Sequence, residues 1–97
     1  MTTEKLKSVF QFYRSYFDEK FPKIGPSQLT NVESLYWADH LSMNDKISHF
    51  KFMCDEAQSF VVQGRVEKAM RWLGFLQGAL WMSGRFNLDD LKKHSMP

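Results

Sequence analysis

Between Val66 and Ser83 the chain reads Val-Glu-Lys-Ala-Met-Arg-Trp-Leu-Gly-Phe-Leu-Gln-Gly-Ala-Leu-Trp-Met-Ser. Laid on a helical wheel, Val66, Ala69, Met70, Leu73, Leu76 and Leu80 fall on one side, and Trp72, Phe75, Ala79 and Met82 on another. A helix apolar on nearly every side belongs at the centre of a bundle, so this segment predicts a central helix. Its remaining sector holds Gly74 and Gly78, flanked by Trp81 on one side and by Phe75 and Met82 on the other, with Arg71 one turn toward the N-terminus. An interior glycine costs about 1 kcal/mol relative to alanine, so the space this pair leaves should be used. One use is the close approach of another helix, from the same chain or from a second copy. The other is a shallow groove with a glycine floor, aromatic walls and a guanidinium, suited to a planar or anionic ligand or to a partner's helix. Arg71 supplies a bidentate donor in either case.

The rest of the chain repeats the helical step. A first helix is predicted from a Thr3 cap to about Phe21, with Leu6, Val9, Phe10, Tyr13, Tyr16 and Phe17 recurring at threes and fours. Phe12 and Phe21 widen its apolar arc to roughly half the circumference, more than one neighbouring helix covers. Lys20 lies inside that arc and can keep its stem on the aromatics and its ammonium in water. Pro22 and Pro26 remove backbone donors and mark the main break. Thr30 with Glu33 reads as a capping box opening a short helix to about Leu41, with Val32, Leu35, Tyr36 and Leu41 inward. Ser42 with Asp45 caps a longer one to about Gln63, with Ile47, Phe50, Cys54, Ala57 and Val61 as its stripe, broadened by Met53 and Phe60. Gly64 stands where a left-handed stop belongs, so this helix and the 66–83 segment should form an antiparallel hairpin. The turn Gly64-Arg65-Val66-Glu67-Lys68-Ala69 is of the kind found inside a tetratricopeptide repeat, but no second copy follows at about 34 residues. Gly84 ends the 66–83 helix; Asn87 with Asp90 then caps a last short one, with Phe86 stapled onto Leu91. No alternating apolar run is bounded by hairpin turns. The prediction is all-α: one domain over residues 1–97, a small bundle of about five helices around a central antiparallel hairpin.

Aromatic content sharpens the question of what covers these surfaces. Nine Phe, three Trp and three Tyr make 15% of 97 residues, and a chain of this length buries only one shallow core. The excess concentrates on the first helix, where Phe12, Tyr13, Tyr16 and Phe17 form a candidate interface, and around Gly74 and Gly78. Together they predict a self-associating protein. A net charge of +2 argues against bulk duplex binding. Cys54 is the only cysteine, so no intrachain disulfide is available and a reducing compartment fits. The charged amphipathic start and the lack of an eighteen-residue apolar run predict a cytoplasmic protein without a membrane span.

Catalytic and metal signatures are weak. His40, His49 and His94 fall on different predicted helices, and neither His-Glu-x-x-His nor paired Cys-x-x-Cys spacing occurs. Cys54 sits on a core stripe and reads as a filler rather than a nucleophile. Asp39 beside His40, and Asp55 beside Glu56, point apart on a helix. No phosphate-cradling glycine loop is present. The expectation is therefore no enzyme, no cofactor and no metal. Cations interleave with aromatics twice, as Arg14, Lys20 and Lys23 around Tyr13, Tyr16 and Phe17, and as Arg65, Lys68 and Arg71 beside Trp72. Stacking plus a cation holds nucleotides and single strands, which leaves open a nucleotide or single-stranded nucleic-acid binder using Arg65, Arg71, Trp72 or Trp81.

The run Glu67-Lys68-Ala69-Met70-Arg71-Trp72-Leu73-Gly74-Phe75-Leu76-Gln77-Gly78-Ala79-Leu80-Trp81, followed by Gly84 and Leu88-Asp89-Asp90-Leu91, resembles the C-terminal signature of small accessory proteins of tailed bacteriophages. The resemblance covers the last third of the chain. It implies a phage-encoded protein acting in a bacterial cytoplasm, by binding a host or defence factor rather than by catalysis. Gln77 belongs to the same pattern, and buried in so apolar a helix it needs hydrogen-bond partners. From the helical wheel and the interleaved cations and aromatics, the binding residues expected are Arg71, Gly74, Phe75, Gly78, Trp81 and Met82, with Arg65 and Trp72.

Overall fold

Each helix starts and stops on local chemistry. The structure is a computed structural model that describes residues 1–29 and 41–96. Among these the chain forms four helices and no strand: α1 (Thr3–Lys20), α2 (Met43–Val62), α3 (Val66–Met82) and α4 (Leu88–Ser95). The expected short helix over 30–41, with Val32, Leu35 and Tyr36, lies outside the described residues apart from Leu41. The cap of α1 is Thr2 rather than Thr3: the Thr2 hydroxyl accepts the Lys5 amide at 3.1 Å, and Thr3 is already helical. Ser42 accepts from the Asp45 amide to start α2, and Asn87 and Asp90 form a reciprocal capping box at α4. Gly64 (φ +79°) and Gly84 (φ +76°) end α2 and α3 in the left-handed region that a Cβ disfavours. Their turns return Arg65 N–H to the Phe60 carbonyl and Arg85 N–H to the Leu80 carbonyl.

α1 and α2 run antiparallel: Phe17 packs on Phe50, Arg14 pairs with Asp55, and Asp18 with Lys51. α2 and α3 form the predicted hairpin, with Phe60 edge-on to Trp72 near the turn and Phe50 and Met53 facing Ala79 and Leu80 farther along. α4 folds back over α1 and α3. The core runs through Leu6, Phe10, Tyr13 and Phe17 of α1, Ile47, Phe50, Cys54, Ala57 and Phe60 of α2, and Ala69, Leu73, Leu76 and Leu80 of α3, closed by Leu91. The centre of this bundle is α2, not the 66–83 helix. α2 buries eight residues, whereas α3 buries four. An apolar wheel shows what a helix could bury, and at α3 half of that capacity faces outward.

Lys51 is the one buried charge in the described residues. Its Nζ donates to the carbonyls of Phe21 (2.8 Å) and Ile24 (2.6 Å) and pairs with Asp18 at 3.0 Å. The ammonium thereby satisfies carbonyls where α1 gives way to the proline-bracketed connector, and complements the negative end of the helix.

Candidate functional site

The buried side of α3 is a narrow stripe of Ala69, Leu73, Leu76 and Leu80 at steps of four, three and four. Opposite it, Met70, Trp81, Gly74, Gly78, Arg71, Met82 and Phe75 occupy an arc of roughly 140° at 100° per residue. All seven are exposed. Phe75 keeps 62% of its surface in water, Trp81 50% and Met82 79%. Among the described residues, a Cβ built on Gly74 or Gly78 would meet nothing within 4 Å. Of the two uses expected for the glycines, packing against a helix of the same chain is therefore not seen among the described residues. The sector is an open floor between side-chain walls.

Each wall borders a cleft. Beside Gly78 and Trp81, a depression of about 650 Å³ is completed by Gln77 and by Leu88, Leu91, Lys92, Ser95 and Met96 of α4. Beside Phe75 and Met82, one of about 620 Å³ runs toward Met43, His49 and Met53 of α2. The sequence reading missed the α4 contribution. Exposed Leu88 opens and exposed Met96 follows a helix too short to suggest a surface, and only the fold brings them alongside Trp81.

Behind the open face, Gln77 closes a polar knot. Its Nε2 donates toward the Tyr13 hydroxyl (3.0 Å), the Ser95 hydroxyl (2.9 Å) and the Leu91 carbonyl (3.3 Å). Because Tyr13 accepts there, its own proton is free for Nδ1 of a neutral His94, 2.8 Å away. Burial raises the Tyr13 pKa and lowers that of His94, although Asp90 partly opposes the latter shift. Gln77 is half-buried rather than buried; its partners are supplied by α1 and α4, and they pin α4 against the bundle.

The expected interface on α1 is largely spent inside. Tyr13 and Phe17 are buried, and Tyr16 is half-buried with its ring 5.0 Å from Phe86. α2 covers one part of the arc, while Phe86 and His94 cover another. Phe12 alone of the four remains exposed, at 48%, and it already leans on Phe86 and His94. Lys20 snorkels as expected, its Nζ 5.8 Å from the Tyr16 ring.

Arg65 and Trp72 are not on the α3 face. Trp72 turns toward α2, and Arg65 and Lys68 lie over the Phe60 ring at 5.1 and 4.5 Å. Arg14 is engaged by Asp18 and Asp55. Arg85, which the sequence reading overlooked, covers Tyr16, Phe17 and Phe21. Cys54 is fully buried and its thiol is pushed up to about 12, chiefly by burial, so it stays protonated at neutral pH. His49 accepts the Leu29 amide at 3.2 Å through Nδ1, a bond that needs the neutral ring, and burial lowers its pKa. His40 lies outside the described residues. Among the described residues no three His, Cys, Asp or Glu gather as a metal ion would require, and no helix is long and apolar enough to cross a membrane. Set against known protein families, curated proteins and solved structures, the chain matches none.

Proposed function

We propose that this chain is a non-enzymatic interaction protein that docks a protein partner on the exposed face of α3. The observation that carries this reading is the pairing of an open glycine floor with exposed Phe75, Trp81 and Met82. Contiguous apolar surface of this kind marks interaction sites in water-soluble folds. Aromatics, Met and Arg, the residues enriched in interface centres, are the ones standing there. Phe75 and Trp81 are the natural anchors, and Arg71 is a directional contact at the rim. The resemblance to tailed-phage accessory proteins supplies the class of external partner: a host or anti-phage defence factor in the bacterial cytoplasm, inhibited or redirected by occupation of one of its surfaces.

A nucleotide or single-stranded nucleic-acid ligand draws less support, because Arg65 and Lys68 are stacked on the chain's own Phe60 and Trp72 is turned inward. Affinity capture with tagged protein, compared with Gly78→Leu and Trp81→Ala, tests the docking reading. Loss of the same bound protein in both folded variants is expected; retention in both overturns the assignment. A nucleotide that raises the melting temperature, with an effect that fades in salt, would favour the alternative.

A further inference from the structure

We propose that the α3 face is also where two copies of this chain meet, their α3 helices antiparallel and crossing at Gly74 and Gly78. The inference rests on the docking reading above and gives that face a definite occupant. About a two-fold axis near residue 76, antiparallel helices place each residue opposite one on the same flank of the second helix. Gly74 then faces Gly78 of the second copy, so the backbones approach closely where a Cβ meets nothing among the described residues of the single chain. On one flank Met70 meets Trp81 of the second copy, a thioether against an indole edge. It enters the cleft that Trp81 shares with Leu88 and Met96. On the other flank the stem of Arg71 meets Met82 of the second copy, beside Phe75. Every contact is made twice.

Charge selects this direction over the parallel one. Parallel pairing brings the two Arg71 guanidinium groups to the same level. Antiparallel pairing separates their levels by about 15 Å, at 1.5 Å rise per residue. It also sets each Arg71 beside the last turn of the other α3, which has no basic residue of its own, whereas the last turns of α1 and α4 do. Met70, Phe75, Trp81, Met82, Leu88 and Met96, each 43–79% exposed, supply the apolar surface from which a contact approaching the ~800 Å² per partner of a standard specific interface would be drawn.

The test uses the full chain. Light scattering from low to high micromolar concentration should give twice the chain mass. Gly78→Leu, which adds a side chain into open space, and the surface change Arg71→Glu should each weaken association by about tenfold or more while leaving the far-ultraviolet spectrum unchanged. Direction is read by cysteine cross-linking of Gly74→Cys mixed with Gly78→Cys, since fully buried Cys54 does not compete. Antiparallel pairing yields the mixed 74–78 disulfide in excess, whereas parallel pairing yields 74–74 and 78–78. A strict monomer at high micromolar concentration, or a preference for the like disulfides, overturns the inference. If the protein is monomeric and Gly78→Leu abolishes capture of a different protein, the inference fails while the docking reading stands. If a dimer keeps its mass in both variants and capture is also unaffected, both fail.

Discussion

α2 and α3 are consecutive arms of one hairpin, and the more uniformly apolar of the two is the less buried. α2 spends its stripe against α1 on one side and α3 on the other, burying Ile47, Phe50, Met53, Cys54, Ala57, Phe60 and Val61 and even the ammonium of Lys51. α3 buries Ala69, Leu73, Leu76 and Leu80 and leaves Phe75, Trp81 and Met82 in water. Apolar content therefore fixes how many surfaces a helix can cover, not how many neighbours its own chain supplies. The surplus on α3 is where association can still release free energy.

The largest test of that contrast uses two adjacent residues of α3. Leu76 is completely buried, and Leu76→Ala should cost about 3 kcal/mol in urea denaturation. Phe75→Ala, one residue away, should change the stability of the isolated chain by less than about 0.5 kcal/mol. A Phe75→Ala loss comparable with that of Leu76→Ala would mean that α3 has no free side. Next comes α2. Lys51→Met keeps the apolar stem but strips the Phe21 and Ile24 carbonyls and Asp18 of their donor, and should cost about 2 kcal/mol. An unchanged denaturation midpoint would show that water replaces the ammonium.

These two helices also mark what the sequence made legible. Caps and stops are local, so Ser42, Gly64, Gly84, Asn87 and Asp90 could be read from their neighbours, and the α1 cap was misplaced only because two threonines adjoin. Partners far apart in sequence left no such trace. Tyr13 and Phe17 looked like surface because nothing in α1 announces that Phe86 and His94 return to cover Tyr13 some seventy to eighty residues later, or that Phe50 and Arg85 cover Phe17. Lys51 sits within the α2 stripe as Lys20 sits within that of α1, and spacing alone does not tell a snorkelling lysine from a clamped one. At α3 the wheel located Gly74, Phe75, Gly78, Trp81 and Met82 correctly as one sector. It could not say which sector the bundle would leave outside, since that depends on the positions of α1, α2 and α4.

A smaller effect separates the closed back of α3 from its open front. His94 accepts from Tyr13, His49 accepts from the Leu29 amide, and burial lowers both pKa values below 6.5. A histidine with a depressed pKa binds protons more readily unfolded, so stability is complete above pH 6.5 and falls as pH drops through the folded-state values. Melting temperatures measured from pH 7.5 to 5 should decline. His94→Asn, which can still accept from Tyr13 but does not titrate, should flatten part of that decline. An identical slope in the variant would detach the Gln77–Tyr13–His94 knot from the acid response. Association through Gly74 and Gly78 involves neither ring and should weaken on acidification only as far as the fold itself does.

The smallest expected change is the most discriminating for the front face. Gly78→Ala replaces a helix-interior glycine at a point where, among the described residues, a new methyl group meets nothing within 4 Å. In the isolated chain it should therefore add up to about 1 kcal/mol of stability, because alanine loses less backbone freedom on becoming helical. Across a close helix crossing the same methyl group pushes two backbones apart, so association should weaken as the single chain becomes more stable. Denaturation at low concentration and light scattering at high concentration would then move in opposite directions for one substitution. Movement in the same direction, or a stability gain with association intact, would show that the glycine floor leaves α3 free to be apolar without making it a contact surface.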